Sequence, residues 1–188
     1  LNPLRPRLYS ISSAYRHNPD EVHLTVAAVR YEAEGRQREG VASTFISDRV
    51  TGKPLPIYFQ KAHDFGLPDD DQTPIIMIGP GTGIAPFRAF LQERALQQAT
   101  GGAWLFFGNP HERTDFLYRE ELEACMDGGA LTRLTTAFSR DGTEKVYVQD
   151  RLIEQSHDLW QWLEAGAHIY VCGDATQMAA AVHEALIH

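Results

Sequence analysis

The chain has 188 residues, 43% hydrophobic and 22% charged, which is ordinary for globular protein and enough for one large or two small domains. Its formal net charge of −8 argues against nucleic acid or an anionic membrane as partner, because either needs a basic face to displace counterions. The two cysteines are far apart, no apolar run nears the roughly 18 residues of a membrane span, and no signal sequence opens the chain, so a reducing, cytoplasmic setting is expected.

Residues 1–60 read as β. RPRLYSIS, EVHLTVAAVRY with alternating Val22, Leu24 and Val26, and LPIYFQ are expected as short strands separated by the turn-rich HNPDE and EGRQREG. Within them Gly40 to Val50 differs, because Val41, Phe45 and Ile46 recur at helical spacing, and a short helix is expected whose N-terminus faces an anion. The acidic run Asp69 to Asp71 beside Pro68 reads as a solvated link, which places a domain boundary near residue 70.

Beyond the link, apolar runs alternate with amphipathic ones. IIMIG, AWLFFG, LTRLTTAFS and AHIYVCGD are expected as strands. Helices are expected from Pro86 to about Gln98, over RTDFLYREELEACMDGG, over YVQDRLIEQSHDLWQWLEAG and over ATQMAAAVHEALIH. Strands apolar on both faces between helices are the pattern of a doubly wound parallel sheet, which binds ligands beyond the carboxyl ends of its strands. The residues at those ends are unusual: Gly79, Gly81 and Gly83; Gly108 and Asn109; Ser139 and Arg140; Cys172 to Asp174. The three glycines ahead of Pro86 suit a turn whose backbone meets a phosphate at a helix N-terminus, although a glycine-rich turn alone is as often only a tight βα turn.

Ser139, Arg140, Lys145, Tyr147 and Gln149 place two cations, a hydroxyl and an aromatic after the third of these strands, a set suited to a phosphomonoester carried on an aromatic base. Cys172 ends the fourth strand. A buried strand cysteine is ordinarily inert, and without a His-Asp partner at nucleophile spacing it reads as a small, soft packing group rather than a nucleophile. Arg7, Tyr9 and Ser10 alternate cation, aromatic and hydroxyl, and with Gly40 to Ser43 they could hold a flat ring and a diphosphate. Trp104, Trp160, Trp162, Phe106 and Phe107 are expected as core and helix-packing residues, and the eight histidines lack ligand spacing, so no metal site is expected.

Taken together, RLYS (7–10), GVAS (40–43), GPGTGIAPFRAF (79–90), FFGNP (106–110), SR (139–140), KVYVQ (145–149) and YVCGD (170–174) resemble the ferredoxin-NADP reductase superfamily, and within it the diflavin reductases. The resemblance implies the back part of an FAD-binding β-barrel over residues 1–70 and an NADPH-binding α/β domain over residues 71–188. It implies that Arg7 contacts the FAD diphosphate, that Tyr9, beside Leu8, stacks on the isoalloxazine, and that Ser10 approaches its N5. Thr25, Val26, Ala27 and Tyr31 are implied to line the rest of the flavin or its adenine side, and Gly40, Val41, Ala42 and Ser43 to take the diphosphate. Gly81 and Thr82 hold the NADPH pyrophosphate, and Ser139, Arg140, Lys145, Val146, Tyr147, Val148 and Gln149 its 2′-phosphate end. Cys172 and Ser10 are the residues implied at hydride transfer.

The resemblance also implies FMN in a further domain, a sulfite-reducing hemoprotein as electron acceptor, and oligomer formation through regions outside these residues. A different heme acceptor, or a nucleotide-binding module without redox chemistry, are the alternatives. The chain departs from the pattern at Ala181, where the family carries an acidic residue. Because it starts at Leu1 and ends at His188 inside a helical pattern, a piece of something longer is expected.

Overall fold

The computed structural model describes residues 4–62 and 64–187. Strands β1 (Arg30–Ala33) and β2 (Arg36–Glu39) form an antiparallel hairpin. Glu34 and Gly35, at φ 54° and 67°, are both left-handed, as the turn matched to strand twist requires. Helix α1 (Val41–Arg49) follows where the apolar spacing placed it. After the link come β3 (Ile75–Ile78), a 3-10 turn (Gly81–Ile84), α2 (Ala85–Gln97), β4 (Ala103–Asn109), α3 (Glu112–Asp115), α4 (Arg119–Asp127) and β5 (Arg133–Phe138). The chain then runs through α5 (Val148–Glu154), α6 (Ser156–Glu164), β6 (His168–Val171) and α7 (Met178–Ile187).

β3 to β6 make one parallel sheet in the order β5-β4-β3-β6. The chain winds outward from β3 to β5, then crosses to the other side of β3, so the switch point lies between β3 and β6. Alternate residues of β3 and β4 point to opposite faces, and each face carries a core. Ile75, Met77, Leu105 and Phe107 pack with Phe87, Leu91 and Leu122 of α2 and α4. Ile76, Ile78, Trp104 and Phe106 pack with Val148, Leu152, Leu159 and Val182 of α5, α6 and α7. The twelve largest fully buried side chains all fall between Ile75 and Leu122. At about 1.5–3 kcal/mol each, they are the main support of the fold.

The amino-terminal part departs from its expectation. RPRLYSIS, most of EVHLTVAAVRY and LPIYFQ form no strand, and only an isolated bridge from Ile11 to Leu24 and the hairpin carry ladder bonds. A strand needs a neighbour along its length to take its N–H and C=O groups, and among the described residues these segments meet one only at that bridge. Leu8, Ile57 and Phe59 are accordingly 62%, 62% and 69% exposed. The acidic run of the link is solvated as expected, yet its flank is anchored. Phe65 and Leu67 pack on the core, and the Tyr170 hydroxyl donates to the Gly66 carbonyl at 2.8 Å.

Two expected helices are broken by tertiary contacts. The 113–129 pattern splits because Tyr118 takes φ 57°, which lets its hydroxyl bond Thr25 Oγ1 at 2.7 Å and its ring lie under Arg88. The 147–166 pattern bends at Gln155, whose Oε1 accepts from Arg133 at 2.8 Å and Thr135 at 3.2 Å. Trp160 is 60% exposed, so it is not core.

Candidate functional site

The carboxyl ends of the four strands lie side by side, and short backbone contacts join them into one row. At the switch point Gly83 touches the loop after β6 so closely that a Cβ would sit 2.1 Å from the Cys172 carbonyl oxygen. Gly79 is equally constrained, because a Cβ would meet the Phe87 ring at 2.6 Å. Among the three glycines only Gly81 has positive φ, 56°, and it faces Asn109 of β4. Sequence reasoning gave all three the same conformational role, whereas two of them are demanded by packing. Ser139 then donates its amide to the Asn109 carbonyl at 3.1 Å, and Arg140 to the Pro110 carbonyl at 2.9 Å. The row thus runs Cys172, Gly83, Gly81, Asn109, Ser139, Arg140, about 14 Å across three strand spacings.

Seven helices offer positive ends to an anion, and carboxylates block five of them. Glu112 and Asp115 sit in the first turn of α3, Glu120 and Glu121 in that of α4, Asp150 in α5 and Asp158 in α6. At α7, Asp174 accepts the amides of Thr176 and Gln177, and these bonds hold its carboxyl below the usual carboxylate range. Among the described residues only α1 and α2, the latter entered through the Gly81 turn, have neither an acidic first turn nor a carboxylate bonded to the amides just ahead of it. The amides of Gly81 and Thr82 precede the first bond of that turn, Gly83 to Pro80, and those of Val41 to Ser43 precede Thr44 to Gly40. A carboxylate at a helix N-terminus competes with any other anion, so the charge pattern leaves two phosphate-ready ends.

Around the Gly81 end, Arg140, Lys145 and Tyr147 are exposed, and among the described residues neither cation has a carboxylate partner. Asp141 pins their loop. Its carboxylate accepts the Glu112 amide at 2.7 Å and bonds His111 Nδ1 at 2.8 Å, which lowers its pKa. Val148 is 3% exposed and Val146 packs against the same core, so these two hold the loop to the sheet and leave Lys145, Tyr147 and part of Gln149 facing outward.

Around the α1 end, the Ser43 hydroxyl accepts from the Val29 amide at 3.1 Å and donates to the Gly40 carbonyl at 3.3 Å. With Ser43 6% exposed, only its amide remains for a ligand. Gly40 is required because a Cβ would meet Ser43 Oγ at 2.6 Å and Val29 Cβ at 2.9 Å. The Thr25 hydroxyl is likewise used by Tyr118. Val26 is half-buried, and Ala27, Tyr31 and Val41 are exposed. Arg7 and Leu8 are exposed and Tyr9 half-buried, on a segment tied beside residues 23–24 by the Ile11–Leu24 bridge and by Ser12 donating to the His23 carbonyl at 2.8 Å.

Cys172 is half-buried after β6, and Ser10 is exposed on the segment tied beside residues 23–24. Burial pushes the Cys172 thiol up, and the Ser10 hydroxyl only partly offsets this. The thiol is therefore neutral near pH 7, which suits packing and not nucleophilic attack. Both cysteines are free.

Two open clefts of about 720 and 860 Å³ flank α2 and β6 instead. Asp69 and Asp70 line both and no Lys or Arg lines either, so an anionic ligand is repelled there. Among the described residues no cluster of His, Cys, Asp and Glu is placed to hold a metal ion, and no helix is long and apolar enough to cross a membrane. Sequence reasoning placed Asn109 and Asp174 at strand ends without giving them a role, and it missed Asp141 and Arg88. The last carried a signal, since a cation in the first turn of a helix opposes the dipole.

Residues 77–184 match the family model of the oxidoreductase NAD-binding domain, and residues 1–45 that of an FAD binding domain. The chain is 54% identical over 187 residues to the sulfite reductase [NADPH] flavoprotein alpha-component of Shewanella sp. (strain ANA-3). It is 55% identical over 188 residues to the protein of the same name from Escherichia coli (strain K12). Each alignment covers 100% of this chain and 31% of the relative, so the chain spans about a third of their length.

Proposed function

Since the chain belongs to the oxidoreductase NAD-binding domain family, we propose that it holds NADPH against FAD for hydride transfer, with electrons passing on through FMN to a sulfite-reducing hemoprotein. The observation that carries this reading is the pair of helix starts free of carboxylate, at α1 and at the Gly81 turn, the second served by a loop with exposed Arg140 and Lys145. NADPH supplies a hydride at its nicotinamide and FAD accepts it, and the protein's part is to align two flat rings and stabilise the charges on their tails.

In this reading residues 71–188 are the NADPH domain and residues 1–70 belong to the FAD domain. Gly81 and Thr82 offer amides to the pyrophosphate of NADPH, a contact that the open backbone at φ 56° permits. Arg140 and Lys145, with Ser139, Tyr147 and Gln149, grip its 2′-phosphate, and Val146 and Val148 fix that loop from beneath. Arg7 and the amides from Gly40 to Ser43 receive the FAD diphosphate, while Tyr9, with Leu8 beside it, stacks on its ring. Thr25 to Ala27 and Tyr31 complete the flavin side. Cys172 and Ser10 exclude water and set the ring separation at the hydride path. The names of the relatives support a sulfite-reducing acceptor, and two unpaired cysteines support a reducing, cytoplasmic setting.

The test is colour and its loss. The flavin-loaded protein should be yellow and bleach on anaerobic addition of NADPH, and Cys172→Ala should slow the bleaching while FAD content and NADPH affinity stay within twofold. A yellow protein that NADPH leaves oxidised overturns the reading. One observation favours the module alternative for these residues alone: the exposed apolar side chains of residues 4–62, such as Leu8 and Phe59, belong to a region whose sheet, among the described residues, is a two-stranded hairpin. A colourless protein that binds NADPH would establish it.

A further inference from the structure

Arg140 is followed at once by a carboxylate, and an acid beside a cation ordinarily pairs with it and weakens its pull on any other anion. Here Asp141 pairs with His111 instead. Asp141 Oδ2 accepts the Glu112 amide at 2.7 Å and Oδ1 accepts from His111 Nδ1 at 2.8 Å, so both oxygens are taken by the stretch that follows β4. A carboxylate only accepts, so Nδ1 carries the proton, and the bond forms with a neutral ring as well as with a charged one. The stretch that holds Asp141 is itself tied down. Asp115 accepts the His111 amide at 3.0 Å, and its carbonyl accepts from Asn109 Nδ2 at 2.5 Å, which joins α3 to the end of β4. The amides of Ser139 and Arg140, bonded to the Asn109 and Pro110 carbonyls, complete the seam. Arg140 is therefore exposed, without a carboxylate partner among the described residues, and carried on main chain that is fixed on both sides of it.

Resting on the function proposed above, we propose that Asp141 is a positioning residue that sets the preference for the 2′-phosphate of NADPH. It fixes where Arg140 stands, and by directing its own charge to His111 and the Glu112 amide it leaves the guanidinium free for the phosphate. Lys145, farther along the same loop, is held by other means. Val146 packs on the core and Val148 is 3% exposed, so the sheet anchors that end of the loop without help from Asp141. The two cations thus have separate supports. In this arrangement Asp141 touches no ligand, and its effect passes through Arg140.

The test compares NADP+ with NAD+ by calorimetric titration, because the two differ only in the 2′-phosphate and neither can donate a hydride. Asp141→Ala should raise the Kd for NADP+ about fivefold or more and leave that for NAD+ within about twofold, since a misplaced Arg140 forfeits part of the roughly tenfold that a charge-assisted contact supplies. In an Arg140→Ala background the same change should add less than about twofold, and in a Lys145→Ala background its full effect, because only coupled residues depart from additivity. Equal losses for both nucleotides mean that Asp141 only supports the fold, an undiminished loss in the Arg140→Ala background means that it acts elsewhere, and no loss means that Arg140 needs no clasp; each overturns the proposal. Should Asp141→Ala fail to fold by circular dichroism, the donor side supplies a second variant. Glu112 opens α3 behind His111 at φ −129° and ψ 134°, a setting that accepts proline, so Glu112→Pro deletes the amide that Asp141 receives. Glu112→Ala, which loses the ion pair to Arg119 but keeps the amide, is its control. Glu112→Pro should weaken NADP+ about threefold or more with NAD+ within about twofold, while Glu112→Ala moves neither that far; equal behaviour of the two variants overturns the proposal. If the wild-type protein binds NADP+ no better than NAD+, the functional reading fails and this inference with it, whereas a wild-type preference that Asp141→Ala leaves intact removes Asp141 and spares the reading.

Discussion

The two parts of the molecule obey different rules of self-sufficiency. From Ile75 to Ile187 every strand finds its neighbours within the same stretch, and each sheet face is covered by helices from it. Residues 4–62 have β-type alternation but only a four-residue hairpin and one bridge, and they leave Leu4, Tyr15 and Phe59 at 76%, 77% and 69% exposure. The difference teaches that amphipathic alternation records which face a strand would bury, while whether it becomes a strand depends on partners that alternation does not supply.

Hydrogen exchange should show the widest gap. Amides of β3 and β4 should exchange at least ~10³-fold more slowly than those of residues 7–29 and 53–62, because buried ladder bonds open only with large-scale unfolding. Uniform protection across residues 7–60 with stoichiometric FAD would erase the comparison. A smaller effect should follow from Gly83→Ala. Its Cβ has no room against the Cys172 carbonyl at 2.1 Å, so the switch point must deform, at a cost of about 3 kcal/mol. A denaturant midpoint unchanged from wild type would show that the two loops separate freely.

Arg140→Ala should weaken NADPH binding on the order of tenfold, since a charge-assisted contact contributes about 1.5–3 kcal/mol, and should leave NADH affinity nearly unchanged. Equal losses for both nucleotides would remove Arg140 from the 2′-phosphate. The smallest effect concerns acid. Asp174 is held below its ordinary 3.8 by the Gln177 amide and the Thr176 hydroxyl. A carboxyl lowered on folding stabilises above its unfolded value, and that contribution is lost as pH falls through the folded one. The first turn of α7 should therefore fray only below pH 3.8, seen as faster exchange at Thr176 and Gln177 relative to α2. Fraying already at pH 5 would mean that another group caps the helix.

The parallel sheet was legible because IIMI and AWLFFGN are apolar on both faces and end in glycine or asparagine, a signal confined to a few adjacent residues. The helix start at Gly40 was legible for the same local reason. The breaks at Tyr118 and Gln155 were not, since each answers to a partner far along the chain, Thr25 and Arg133. The site divided likewise. Glycines and cations announced themselves as types, whereas the burial of Val148, the internal use of the Ser43 hydroxyl and the reach of Arg88 to Ser12 depend on contacts that no spacing encodes.

The contact between Gly83 and the Cys172 carbonyl is made by main chain alone. At that end of the row, geometry is therefore independent of which side chains surround it, and substitutions nearby change polarity without changing distance. At the far end, the proposed nucleotide recognition falls to exposed side chains carried by one loop, Arg140 and Lys145. Under the proposed function, the redox step and the choice of nucleotide are then separable in the material that encodes them. A designer can exchange the loop from Ser139 to Tyr147 to alter nucleotide preference while the ring-facing end keeps its shape.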